Sequence, residues 1–241
     1  MKFLKDKFAI ITGAAGLLGP CHAESLAEIG YNLILADINK KKLNQLHKNM
    51  EKKFKKIKIL KEFLDITNEN KLKKLQKKLK RNRIFVKCLV NNADINPKMI
   101  SYKNNKSQTI ENYKATKLKR EINVGVIGTF NCCKIFGSEM AKKKNGVIIN
   151  ISSDLGLIAP DQRLYEKTGL NEKQQSVKPV TYSVVKTGLV GLTRYLATYW
   201  PNQIRCNALC PGGVENGQSM EFINDVCDRI PMGRLAQPDE Y

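Results

Sequence analysis

The sequence predicts an α/β fold, a doubly wound parallel sheet with helices on both faces. Three observations lead there. Short, mostly apolar runs at residues 8–11, 32–36, 84–90 and 146–153 have the character of strands buried on both sides. Helical stretches alternate with these runs, and parallel strands need such crossovers. The runs end in residues suited to binding rather than packing, among them Gly13, Asp37, Asn91 and Ser153.

The elements follow in order. Residues 8–11 form the first strand, which breaks into Gly13-Ala-Ala-Gly16-Leu-Leu18-Gly19, and a helix then runs to Ile29 and closes at Gly30. In a strand–turn–helix context, glycines let the backbone approach a pyrophosphate, and the helix start offers free N–H groups. Residues 32–36 are a second strand ending at Asp37, whose carboxylate can accept bonds from an adenosine ribose and repel a 2′-phosphate. A Lys-rich helix leads to a third strand at 57–64, followed by Asp65-Ile66. Next come a helix over 68–80 and a fourth strand at 84–90 ending in Asn91-Asn92-Ala93. Residues 94–120 are polar and lysine-rich, a loop with some helix. A long helix over 121–144 contains Asn123, and the fifth strand delivers Ser152 and Ser153. Residues 154–180 are irregular. A helix then runs from Tyr182 to Tyr199, and a sixth strand at 204–209 closes in Cys210-Pro211-Gly212-Gly213-Val214. Right-handed crossovers place all these strand ends along one edge. No internal repeat or linker divides the chain, so residues 1–241 are expected to form one domain.

Composition narrows the function. Lys and Arg number 42 against 22 Asp and Glu, a net charge of +20. Residues 40–87 alone carry +15, nearly all of it from lysine, without interleaved aromatics or a base-reading motif. Solvated helix faces are therefore expected, and no nucleic-acid partner. The seven cysteines show no paired spacing with histidines, so no metal is expected; Cys132, Cys133, Cys206 and Cys210 read as thiols in a reducing cytoplasm. No uncharged apolar run is long enough for a membrane helix, and the start at Met1 reads as no signal peptide. The chemistry centres on Tyr182 and Lys186. Four residues apart on a helix, they share a face, and the ammonium can stabilise a phenolate so that the tyrosine exchanges protons near neutral pH.

These pieces, in this order, resemble the short-chain dehydrogenase/reductase family over essentially the whole chain. The resemblance implies a Rossmann-type fold and hydride transfer between a nicotinamide and a carbinol or carbonyl carbon, without a metal. It makes Tyr182 the catalytic acid/base and gives Lys186 the nicotinamide ribose and the tuning of Tyr182. Ser153, rather than Ser152, orients and polarises the substrate oxygen, and Asn123 helps to hold a proton-relay water. Gly13, Gly16, Leu18 and Gly19 would cradle the cofactor, and Asp37 would favour NAD over NADP despite Lys40, Lys41 and Lys42 beside it. Asp65 and Ile66 would flank the adenine, Asn92 and Ala93 would line the cleft, and Pro211, Gly212 and Val214 would border the nicotinamide.

Four departures from the family pattern stand out. The glycines read G-x-x-G-x-x-G, with Leu17 where a glycine is usual, and Asp94 replaces the glycine that normally follows Asn-Asn-Ala. Residues 154–180 are longer than the usual spacer between serine and tyrosine. The chain also stops at Tyr241, where the family's last helix and last strand would follow, leaving the sixth strand as an open edge. Its wording at 207–214 and 230–236 is similar to a bacterial subgroup of flagellin modification and surface-sugar (surface polysaccharide) biosynthesis. The expected substrate is accordingly a polar sugar or sugar nucleotide, with a homo-oligomer for the full-length protein. A nucleotide-sugar epimerase or dehydratase, or a non-catalytic cofactor-binding homologue, is the alternative reading.

Overall fold

The computed structural model describes residues 7–96, 108–166, 169–171 and 175–241. Its centre is a six-stranded sheet in the order β3-β2-β1-β4-β5-β6, with every adjacent pair parallel. The strands are β1 (Phe8–Thr12), β2 (Asn32–Asp37), β3 (Ile59–Phe63), β4 (Val86–Asn91), β5 (Val147–Ile151) and β6 (Arg205–Leu209). The chain winds outward from β1 to β3, then returns past β1 to β4 and winds the other way. That reversal opens a crevice at the C-terminal ends of β1 and β4, where ligands of such sheets bind.

Two cores flank the sheet because successive strand residues point to opposite faces. On one face Ala9, Ile11, Leu33 and Leu35 pack with Ala23 and Ala27 of α1 (Gly19–Glu28) and with Leu43, Leu46 and Met50 of α2 (Lys40–Lys53). On the other, Phe8, Ile10, Ile34 and Leu89 meet Leu72, Leu75 and Leu79 of α3 (Glu69–Arg81), together with Phe136, Met140 and Leu196. The lysines of α2 and α3 lie on the outer faces, and Asn39 and Asn68 cap the two helices by accepting bonds from Lys42 N and Lys71 N, each 3.0 Å. The basic run of the sequence is thus mostly solvent-facing helix surface. Buried Cys88 and Cys206 have their thiols pushed up to about 12 by desolvation, the state of packed rather than reactive cysteines.

The third strand is shorter than expected, Ile59–Phe63, although Lys58 O and Leu64 N still bond to the backbone of β2. The expected helix over 121–144 differs more. It begins earlier, with α4 (Ala115–Ile122), passes through a π-helical turn Asn123–Gly128 to α5 (Thr129–Cys132), then through a second π turn Cys133–Gly137 to α6 (Ser138–Lys142). Glycines permit tight packing at these turns: a Cβ on Gly128 would stand 2.6 Å from the Ile66 side chain. The helix of Tyr182 is α7 (Val180–Tyr199), and α8 (Met220–Cys227) lies beyond β6. Within the irregular stretches, Asp154–Gly156 and Gln162–Tyr165 form single 3₁₀ turns. Residues 97–107, 167–168 and 172–174, and the start at 1–6, lie outside the described residues. No helix among the described residues is long and apolar enough to cross a membrane.

Candidate active site

The turn after β1 is shaped by what surrounds it. Gly13 has φ +60°, a left-handed conformation that favours glycine, and a Cβ there would lie 2.7 Å from Ala93 Cα across the crevice. A Cβ on Gly19 would fall 2.3 Å from the Ala14 carbonyl oxygen. Gly16 N bonds back to Gly13 O at 3.0 Å, and Asn92 Nδ2 donates to the same carbonyl at 2.8 Å. The Thr12 hydroxyl accepts from the backbone of Asn92 at 3.1 Å and Ala93 at 3.2 Å, locking the ends of β1 and β4 together. Leu18 stands at the N-cap of α1 with no side-chain cap, so the helix start presents backbone N–H groups. This is a close-approach cradle with free donors, and it fits a pyrophosphate.

At the tip of β2, Asp37 accepts from Ala15 N at 2.9 Å and from Asn39 N at 2.7 Å. Its carboxylate braces the glycine turn and keeps acceptor capacity for a ribose. Asp65 holds a local turn through Thr67, and the Ile66 side chain is buried, where it can flank a flat ring only by its backbone neighbourhood. Pro211, Gly212 and Val214 follow β6. Gly212 N donates to the Tyr241 hydroxyl at 3.1 Å, Asp154 N bonds to Pro211 O, and Val214 bridges to Ala236. The residues inferred to contact a dinucleotide therefore gather at one sheet edge.

The catalytic candidates sit at the same edge. Lys186 is buried, and its ammonium lies 5.6 Å from the Tyr182 ring centre. It donates to Ile151 O at 3.0 Å and pairs with Asp94 Oδ2 at 3.0 Å; the two side chains are only 8% and 12% exposed. Ser152 is committed to the scaffold, with its hydroxyl donating to Lys186 O at 2.7 Å. Ser153, also buried, bonds to its neighbours in sequence instead. Its hydroxyl donates to Asp154 Oδ1 at 2.7 Å and accepts from Leu155 N at 3.2 Å, and rotation about its C–O bond would free the proton for a ligand oxygen. The N-terminal end of α7 is fixed from the side: Thr181 and Tyr113 share a 2.7 Å hydroxyl contact, and Tyr113 donates to buried Glu121 at 2.7 Å. Burial, chiefly, pushes the Tyr113 phenol up to about 12.

Asn123 is not brought into this group. It is exposed at the start of the π turn, and the helix position that faces the lysine pair is Gly125. A Cβ on Gly125 would lie 2.7 Å from Asp94 Oδ1 and 2.3 Å from Val185 Cγ1. Asp94, which the sequence marks only as a replaced glycine, occupies the space beside Gly125 and holds Lys186. The bare Gly125 and the substituted Asp94 were the available signals.

Residues outside the family motifs also line this site. Lys178, just before α7, places its ammonium 3.9 Å from the Tyr182 ring centre, nearer than Lys186. Burial pulls its pKa below the ordinary lysine value. Tyr165 stacks on Phe222 of α8 at 5.7 Å, and Asp161 pairs with Arg163 at 2.8 Å and with Arg229, just beyond α8, at 3.4 Å. A separate cavity of about 490 Å³, lined by Lys7, Lys87, Gly146 and Arg205, opens at the opposite end of the strands and meets none of these groups.

Comparison with known proteins agrees with this geometry. Residues 7–165 match the short chain dehydrogenase family. A 3-oxoacyl-[acyl-carrier-protein] reductase of Thermotoga maritima is 28% identical over 242 residues, covering 98% of this chain and 87% of that protein. An NAD-dependent glycerol dehydrogenase of Listeria innocua is 26% identical over 243 residues, covering 98% and 84%. The crystal structure of an NAD+-bound xylitol dehydrogenase superposes with a TM-score of 0.81 over 100% of this chain and 90% of that one, at 22% identity. The chain belongs to the short-chain dehydrogenase/reductase family of oxidoreductases.

Proposed function

We propose that the protein is an NAD-linked dehydrogenase/reductase acting on the secondary alcohol or ketone of a polar, sugar-like substrate, a sugar or sugar nucleotide. The observation that carries the reading is the buried Lys186 held 5.6 Å from the Tyr182 ring centre, at the strand edge that also carries Ser153. The bound nicotinamide supplies the hydride acceptor or donor. The chain does the rest. Thr12, Asn92 and the glycine turn hold the cradle shape, and the α1 start offers its N–H groups to the pyrophosphate. Asp37 receives the adenosine ribose and disfavours a 2′-phosphate, which supports NAD over NADP. Ser153 donates to the substrate oxygen and orients it. Tyr182 gives or takes the proton at its phenolic oxygen. Lys186 is held beside that phenol by Asp94 and Ile151 O.

A polar substrate is supported by the polar and charged residues that follow Ser153 in the chain, among them Asp154, Asp161, Arg163 and Lys178. The glycerol dehydrogenase relative also acts on a polyol. Cytoplasmic location, one domain and a homo-oligomer belong to the same proposal. The test is a panel of polyols, sugars and sugar nucleotides assayed for NAD reduction by reduced-nicotinamide absorbance. Turnover that disappears in Tyr182→Phe while NADH still binds supports the reading; turnover unchanged in that variant overturns it.

A further inference from the structure

The cleft holds two lysines with different electrostatic surroundings. Lys186 has both an ion-pair partner and a carbonyl acceptor. Lys178 has neither: among the described residues its ammonium makes no hydrogen bond or ion pair and rests on the face of the Tyr182 ring. Its backbone is nevertheless held firmly, since Lys178 N donates to Gln162 Oε1 at 2.9 Å and Gln162 Nε2 donates back to Lys178 O at 3.4 Å. The nearest carboxylate that acts on it, Asp154, already accepts from Ser153 Oγ and Leu155 N, each 2.7 Å away. A cation drawn partly out of water without an anion is costly, and an anionic ligand group removes that cost. The ring beneath it belongs to the tyrosine that marks the reacting carbon.

We propose that Lys178 is an anion subsite of the substrate cleft, so that the natural substrate carries a carboxylate or phosphoryl group close to the carbon that is oxidised or reduced. The proposal rests on the assignment of Tyr182 as acid/base, and it names the class of polar substrate that assignment left open. Lys178 is a specificity-determining residue in this account. Lys186 pairs with Asp94, and Asp161 with both Arg163 and Arg229, so among these groups Lys178 is the cation with no ion-pair partner. An incoming oxyanion meets that lysine on the face of the Tyr182 ring.

The test uses the whole chain saturated with NAD, so that the pyrophosphate cradle is filled. D-gluconate and sorbitol form a matched pair differing in one carboxylate, and glycerol 3-phosphate and glycerol a pair differing in one phosphoryl group. Titration calorimetry should show the anionic member of at least one pair binding tenfold or more tightly than the neutral one; which pair responds distinguishes carboxylate from phosphoryl recognition. Lys178→Gln should erase that preference while leaving the neutral affinities in place, and Lys178→Arg should retain it. No preference in the parent protein overturns the proposal. So does an equal loss for both members of a pair in Lys178→Gln, which would make the lysine a support for Tyr182 instead. Failure of the cofactor itself to saturate is read separately and counts against the dinucleotide assignment.

Discussion

Removing the Asp94 carboxylate by Asp94→Ala leaves the Lys186 ammonium buried with one carbonyl as its only acceptor among the described residues. Breaking a buried pair from one side costs about 3–5 kcal/mol, because the remaining charge stays desolvated. Both side chains are close to nine-tenths buried, so solvent screens little of this, but the Ile151 carbonyl offsets part of it. The expected loss is therefore near the lower end, about 3 kcal/mol. For a chain of this size each kcal/mol lowers the melting temperature by roughly 2–4 °C, which gives a fall of about 6–12 °C. Asp94→Asn keeps the shape and one acceptor oxygen and should lose less. Asp94→Ala combined with Lys186→Met removes both charges, and most of the lost stability should return, less about 1 kcal/mol for the unpaired Ile151 carbonyl. Thermal melts of the two single variants and the double variant close the cycle. Additive losses in the double variant would refute the idea that Asp94 exists to hold Lys186.

Four further outcomes are expected. Gly125→Ala forces its methyl group into Val185 and Asp94, an overpacking worth about 1–3 kcal/mol that Val185→Ala should partly relieve; melts of both variants check it, and an unperturbed Gly125→Ala melt would contradict it. Gly13→Ala pushes a Cβ against Ala93 backbone from a left-handed residue, so NADH affinity should fall at least tenfold, about 1.4 kcal/mol; unchanged affinity would remove the turn from the cofactor site. Asp37→Ala should narrow the gap between NADH and NADPH affinity and loosen the Ala15 turn, and equal affinities in the parent would defeat the ribose role. The Arg163 guanidinium, first among its neighbours, holds Asp161 down at about 2 in the folded chain, against an ordinary 3.8. Because that carboxyl is depressed on folding, its stabilising contribution is present above 3.8 and disappears as pH falls through about 2. The difference in melting temperature between the parent and Asp161→Asn should close over that window, and a constant difference would contradict the pairing.

Much of this was legible in the sequence because the signals are local. Buried parallel strands announce themselves as apolar runs, and Gly13, Gly16, Gly19 and Asp37 fall at strand ends where backbone geometry dictates residue type. Tyr182 and Lys186 share a helix face by spacing alone. Asn123 lies exposed at the first position of a π turn, and the sequence pattern of a regular helix does not announce that turn. Asp94 was visible only as a lost glycine: its partner is 92 positions away in the sequence, and the pairing follows from how β4 and α7 pack. Ser152 and Ser153 are adjacent and alike in the sequence, and only the fold shows that the Ser152 hydroxyl is bonded to Lys186 O. Lys178 could not be read at all, since it stands over the Tyr182 ring in irregular chain held by long-range bonds to Gln162, 16 positions away.

The central claim is that the C-terminal strand edge forms a nicotinamide dinucleotide site with Tyr182 beside it. It is tested most directly by following NADH fluorescence as the whole chain is added, and then repeating with NADPH. The account predicts saturable binding of NADH, weaker binding of NADPH, and retention of NADH affinity in Tyr182→Phe. Fluorescence that rises without saturation for both cofactors would contradict it.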